Sequence, residues 1–279
     1  MASDVLELIN LVRYPIDAPE GQAFADVVLA AREQIAAIGA AELPGFVNEE
    51  GRRELVRDAE ALTPRAYRSG GIGTAYLELP DEEAFDAEHP RRTWMPYDVA
   101  AVAYDLMPET SPLRQIYESE AVRAFLEAIL DRGPLYRYAD PFGALNLAVM
   151  AEGDQLQWHF DQTDFVVSLA IQASERGGTF DVVPRIRSAD DEHYDAVASL
   201  LAGDEDHVVT LAMTPGTLLV FEGRNSIHRV SPIEGATLRH VGLLAYDTKP
   251  GTLSSDLLRA VRYGRTEPFA EPPEVWPVA

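Results

Sequence analysis

Past residue 140 the chain breaks into short apolar runs rich in β-branched residues and separated by glycine, proline and polar turns, and this rhythm limits the fold more than any other feature. Residues 144–150, 157–161, 165–172, 179–183, 208–212, 217–221 and 238–246 all read as strands. Gly177-Gly178 and Pro215-Gly216 mark tight turns between them. A polar insert, 188–206, interrupts the series and carries one helix around 194–201. Strands this short and numerous bury their apolar faces by closing into a barrel or a two-sheet jelly-roll.

The front of the chain has a different period. Val28, Ala31, Ile35 and Ile38 recur at helical spacing before Gly39, and residues 43–47 then read as a short extended piece. Asn48 is placed to cap a second helix, with Glu49 and Glu50 in its first turn. Ser111-Pro112 opens a third helical region, which places Leu113, Ile116, Tyr117, Phe125, Leu126 and Ile129 on one face and stops at Asp131. Residues 68–98, first glycine-rich and then acidic, resist assignment to helix or strand. The expected fold is mainly β with a helical buttress, a double-stranded β-helix (jelly-roll, cupin-like) core preceded by N-terminal helices. It is expected as a single domain over 1–279: a mostly helical front (1–140), the jelly-roll core (141–250) and a C-terminal extension (251–279) whose Pro-rich end packs or frays.

Charge and composition exclude several functions. With 46 acidic against 23 basic residues, the formal charge is −23, which opposes binding to nucleic acid or to anionic membranes. There is no cysteine, so thiolate metal sites, disulfides and cysteine nucleophiles are excluded, and no G-x-S-x-G motif supports a serine hydrolase. Lys249 is the only lysine, so nearly every positive charge is an arginine fork suited to carboxylates. The opening Met-Ala-Ser-Asp lacks the pattern of a signal peptide, and the longest apolar stretch, 27–41, is interrupted by Arg32, Glu33 and Gln34. A cytoplasmic location is expected.

Two His-x-Asp pairs occur, and geometry separates them. His159 and Asp161 fall on a strand candidate, where residues i and i+2 share a face. His193 and Asp195 fall in the insert, where a helix would set them about 200° apart, and read as solvated surface. His228, just past an apolar strand, completes a two-histidine, one-carboxylate set of the kind that holds Fe(II) with open positions. Arg239 opens the last strand, where a buried guanidinium would hold the distal carboxylate of a dicarboxylate cosubstrate bidentately. The Gly70-Gly71-Ile72-Gly73 run lacks phosphate-loop spacing, since Tyr76 stands where the last glycine belongs, and is expected to be a loop. Around it Arg68 and Tyr76, and beside the metal pair Gln157, are candidates for contacting substrate.

The constellation of His159, Asp161, His228 and Arg239 resembles the Fe(II)/2-oxoglutarate-dependent oxygenases. Trp158-His159-Phe160-Asp161-Gln162, the run from Gly177 to Pro184, the run from His228 to Ile233, Tyr263-Gly264-Arg265 and Tyr138-Ala139-Asp140-Pro141 are similar to the bacterial branch containing amino-acid halogenases and hydroxylases. The resemblance spans about residues 65 to 266 and is specific in its second half. It implies Fe(II) on His159, Asp161 and His228, 2-oxoglutarate as cosubstrate with Arg239 on its far carboxylate, and O2. Halogenases of this branch carry a small residue in place of the metal carboxylate, so the presence of Asp161 implies hydroxylation with release of succinate and CO2. Val241 stands where many relatives have a hydroxyl residue, which makes Asn146 the candidate for a second cosubstrate contact. The expected partner is a small-molecule substrate, an amino acid of low polarity or a natural-product intermediate. Two other readings stay open: a cupin-type metalloenzyme that does not use 2-oxoglutarate, and a non-catalytic jelly-roll that binds a ligand or a partner protein.

Overall fold

The computed structural model describes residues 5–277. Helix α1 (Gln22–Ile38) ends at Gly39, whose φ of 67° is the left-handed geometry that stops a helix. Strand β1 (Ala40–Leu43) follows at once. Helix α2 (Glu49–Leu62) starts from Asn48, whose side chain accepts the Gly51 N–H at 2.9 Å. Strands β2 (Tyr67–Thr74) and β3 (Trp94–Ala103) pair antiparallel. Helices α3 (Pro112–Glu118) and α4 (Glu120–Leu130) come next, then the short β4 (Tyr136–Arg137).

The core continues with β5 (Leu145–Met150), β6 (Gln155–His159), β7 (Val166–Gln172), β8 (Arg176–Gly177) and β9 (Phe180–Val183). After helix α5 (Tyr194–Leu201) come β10 (Val209–Leu211), β11 (Leu218–Phe221), β12 (Ile227–Val230), β13 (Ile233–Glu234), β14 (Arg239–Leu244) and β15 (Tyr246–Asp247), and helix α6 (Asp256–Tyr263) closes the series. One antiparallel layer runs β1-β11-β7-β14-β5 and the other β6-β12-β9-β10. Strand β3 stitches them together, pairing β5 through 100–103 and β6 through 97–98. The result is a nearly closed jelly-roll, as the strand pattern predicts.

Alternation along β5 shows why its run is continuously apolar. Leu145, Leu147 and Val149 pack outward with the helices, while Ala148 and Met150 pack inside the barrel. Strand β7 repeats this, with Val167, Leu169 and Ile171 outward and Ala170 inward. Each large aliphatic side chain so buried contributes about 1.5–3 kcal/mol. Alanines on the inner face leave room in the barrel.

The structure departs from the sequence reading in several places. The front is not only helical, since β1, β2 and β3 join the sheet. Residues 68–98, unassigned from the sequence, hold most of β2 and the start of β3, and the Gly70-Gly71-Ile72-Gly73 run expected to be a loop lies within β2. Within the glycine run, Gly70 is the tight position, where a Cβ would stand 2.2 Å from Asp98 Oδ1, whereas a Cβ on Gly73 would make ordinary contact with the Tyr97 ring at 3.7 Å. The extended piece lies earlier than expected, at β1. The third helical region divides at Ser119, which caps α4 by accepting the Val122 N–H. Helix α5 falls where the insert was expected to hold one. In the C-terminal tail, Trp276 packs on Tyr67 and its N–H donates to the Pro64 carbonyl at 2.8 Å, while residues 278–279 lie outside the described residues. No described helix is long and apolar enough to cross a membrane.

Candidate metal centre

His159 closes β6, and His228 lies directly opposite it on β12 in the antiparallel register. Both side chains turn to the same side, with ring centroids 4.3 Å apart. Each imidazole is fixed in the same way. Nδ1 of His159 lies 2.7 Å from the Gln157 carbonyl, and Nδ1 of His228 lies 3.0 Å from the Ser226 carbonyl. With Nδ1–H donating, both rings present an Nε2 lone pair to the same point. Phe180 and Phe221 pack around the His228 ring and shield it from water. Burial, with His228 beside it, pushes His159 down to about 4, against the opposing pull of Asp161. It is therefore neutral near pH 7, the form that ligates.

Asp161 reaches this point by a different route from the one its spacing suggests. The strand ends at His159, so pleat alternation does not aim the carboxylate. Backbone ties do: the Phe160 N–H donates to the Ala75 carbonyl at 2.8 Å, and the Asp161 N–H donates to the Gly223 carbonyl at 3.1 Å. Asp161 Oδ2 lies 3.2 Å from His228 Nε2 in a geometry that makes no hydrogen bond, and it is buried without any hydrogen-bond partner. Donor atoms of His159, Asp161 and His228 all lie within 4.8 Å of one another. Gly223 makes this possible, since a Cβ there would stand 2.2 Å from Asp161 Oδ2. Sequence reasoning missed this residue; the signal available was its place in the Glu222-Gly223-Arg224-Asn225 turn leading to His228.

Arg239 opens β14 opposite Met150 and is only 7% exposed. Its side-chain contact is a 3.8 Å approach of Nη1 to Met150 Sδ, with no acid beside it. Burial lowers it to about 10, still charged near neutrality. It borders a cavity of about 130 Å³ lined also by Ala170, Gln172, Thr210 and Val241. A buried guanidinium without an anion is costly unless a ligand supplies one.

The remaining sequence candidates are spread around the barrel. Asn146 sits on β5 opposite Leu243, four residues from the Met150 that faces Arg239, a span of about 13 Å along a strand. Its Oδ1 is buried without a partner. Gln157 donates to Gln155 Oε1 at 2.7 Å. Arg68 is engaged by Asp154 through two bonds of 2.6 and 3.0 Å. Tyr76 packs on Phe160 behind the metal loop, under the Arg91 guanidinium, and its buried hydroxyl has no partner. Burial pushes that phenol well above its ordinary range. His193 precedes α5 at the exposed surface, 3.5 Å from Asp191, as the sequence predicts.

Comparison with known proteins fits this geometry. The family model described as Halogenase D matches residues 83–257. No curated protein matches the sequence. Among solved structures, AviO1 from Streptomyces viridochromogenes Tue57 superposes with a TM-score of 0.55 at 18% identity, covering 80% of this chain and 96% of that one. An oxidoreductase of the 2OG-Fe(II) oxygenase family from Burkholderia pseudomallei gives 0.51 at 15% identity, covering 81% and 92%. The epimerase SnoN, solved with Fe3+, alpha ketoglutarate and nogalamycin RO, gives 0.55 at 14% identity, covering 80% and 84%. At these identities the structural likeness is one of fold.

Proposed function

The chain belongs to the Halogenase D family, and from that premise we propose that it is an Fe(II)- and 2-oxoglutarate-dependent dioxygenase that hydroxylates an unactivated C–H bond. The substrate is a small molecule, an amino acid or natural-product intermediate, and succinate and CO2 are released. One observation carries the choice of hydroxylation over halogenation. The site is built around a carboxylate: Asp161 Oδ2 is buried beside His228 Nε2, in space that exists because residue 223 has no side chain.

The residues present fit both groups. Two imidazoles, each with Nδ1 turned to a backbone carbonyl, and an unpartnered buried carboxylate oxygen form a donor set for a divalent cation. Arg239, buried and without an acid, fits the far carboxylate of 2-oxoglutarate. When bound, Fe(II) with 2-oxoglutarate and O2 supplies the oxidising power for the C–H bond.

The protein's own contribution is placement and exclusion of water. The Gln157 and Ser226 carbonyls hold the two imidazoles in one tautomer and orientation, and the Gly223 carbonyl fixes the backbone of Asp161. His159, Asp161 and His228 would hold the ion between them. Arg239 fixes the cosubstrate's orientation, and Phe180 and Phe221 keep the His228 side dry. The test is incubation with Fe(II), 2-oxoglutarate, O2 and an amino-acid mixture in buffers with and without chloride. Succinate release that depends on Fe(II) and is lost in His159→Ala, with products heavier by one oxygen and none chlorinated, is expected. A chlorinated product would overturn the hydroxylase assignment.

A further inference from the structure

Phe160 stands between His159 and Asp161 in sequence and is only 1% exposed. Strand β6 ends at His159, so no pleat holds the residues that follow. Asp161 does not hold itself either, since its buried Oδ2 has no hydrogen-bond partner. The direction of the carboxylate therefore depends on how the neighbouring ring is fixed.

A closed circuit of contacts fixes it. The Arg187 guanidinium lies 3.7 Å from the centre of the Phe160 ring, a close cation–π contact. Tyr76 packs on Phe160 with ring centroids 5.3 Å apart, and the Arg91 guanidinium covers Tyr76 at 4.2 Å. Glu192 joins the two ends: one carboxylate oxygen accepts from Arg187 at 2.9 Å and the other from Arg91 at 3.2 Å. Arg91 also donates to the Tyr194 hydroxyl at 2.9 Å, where α5 begins. Glu192 and Tyr194 both belong to the polar insert, 188–206.

Arg187 has a second attachment. Its Nε donates to the Arg224 carbonyl at 2.8 Å, and its backbone N–H donates to the Asn225 carbonyl at 3.3 Å. The same turn carries Gly223, whose carbonyl accepts the Asp161 N–H and whose missing side chain leaves room for the carboxylate. One side chain thus spans the ring beside Asp161 and the turn against which Asp161 is seated. Arginine can do both at once, because its flat face stacks while its edge donates.

We propose that Arg187 is a positioning residue for the Asp161 carboxylate, and that the polar insert serves the metal centre by supplying Glu192 to hold Arg187 on the Phe160 ring. The inference rests on the oxygenase reading above, whose metal ligands it adopts. Arg187 acts through Phe160 and the Arg224 carbonyl, not on the ion itself.

The experiment titrates full-length, metal-free protein with Fe(II) anaerobically in a calorimeter, for wild type, Arg187→Met, Arg187→Lys and Glu192→Gln. Thermal melts of the metal-free proteins and the visible charge-transfer band with Fe(II) and 2-oxoglutarate are recorded beside it. Arg187→Met should bind Fe(II) roughly 10- to 100-fold more weakly, as for other groups that orient a ligand. Its band should move from the wild-type position, and Arg187→Lys should recover part of both losses. Glu192→Gln should weaken Fe(II) binding by a smaller factor. A purely structural role would lower the metal-free melting temperature and leave the affinity of the folded protein and its band unchanged, which would overturn the proposal. Fe(II) affinity within about twofold of wild type in folded Arg187→Met overturns it likewise. Glu192 lies on the half-buried insert, so if Arg187→Met does not fold, Glu192→Gln decides by the same criterion. A wild-type protein that takes up no Fe(II) would overturn the oxygenase reading together with this one, whereas unaffected variants of an iron-binding wild type overturn this one alone.

Discussion

A methyl group added at position 223 should disable the metal centre while leaving the barrel folded. The Cβ of Gly223→Ala would stand 2.2 Å from Asp161 Oδ2 and 3.0 Å from its Cβ and Cγ. That is more than about 1 Å inside ordinary carbon contact distance. The Asp161 side chain is 24% exposed, so it has an outward escape and should rotate away instead of forcing the backbone. Overpacking of this kind costs about 1–3 kcal/mol, and the escape route favours the lower end. Iron affinity should suffer more, because disturbing groups that orient a ligand typically costs about 10- to 100-fold. Anaerobic calorimetric titration with Fe(II) measures this, beside thermal melts of the metal-free proteins. A double-mutant cycle sharpens the reading. Since Gly223→Ala acts only by displacing Asp161, adding it to Asp161→Ala should change iron affinity no further. Additive losses, or wild-type affinity in Gly223→Ala, would refute the idea that this glycine exists to make room for the carboxylate.

Two more perturbations probe the barrel. Arg239→Met removes a buried charge that has no anion, so the ligand-free protein should be unchanged or more stable by about 1–4 kcal/mol. The stabilisation that 2-oxoglutarate gives the iron-loaded wild type should disappear, and a drop in ligand-free melting temperature would contradict this. His240, on the outer face of β14, lies with Nε2 3.0 Å from Thr63 Oγ1 and Nδ1 without a partner, and burial lowers its pKa from 6.5 to about 4. Between those values the unfolded chain binds a proton that the native protein refuses, so acid favours unfolding there. At about 1.36 kcal/mol per pH unit, neutral His240 contributes about 3 kcal/mol that is full above pH 6.5 and lost as pH falls toward 4. Urea unfolding at several pH values should show this slope in the metal-free wild type and a shallower one in His240→Gln.

Strand rhythm after residue 140 was enough to expect the jelly-roll, because alternating or continuous apolar runs of that length have few other ways to bury themselves. The candidate metal ligands were legible for a partly different reason from the one that brings them together. His159 and Asp161 were paired by strand alternation, yet the strand stops at His159 and the carboxylate is aimed by the Ala75 and Gly223 carbonyls, contacts between segments remote in sequence. Strand β3 was invisible because Pro96 and Asp98 break its apolar pattern. What defines it is pairing with both β5 and β6, a tertiary fact.

The most direct measurement is anaerobic addition of Fe(II) and then 2-oxoglutarate to metal-free protein, followed in visible light, for wild type beside His159→Ala and Arg239→Ala. A charge-transfer band present in the wild type, absent in His159→Ala and needing far more 2-oxoglutarate in Arg239→Ala is the expected result. A folded wild-type protein that binds iron but shows no band would contradict the use of 2-oxoglutarate. One that takes up no iron would contradict the metal centre itself.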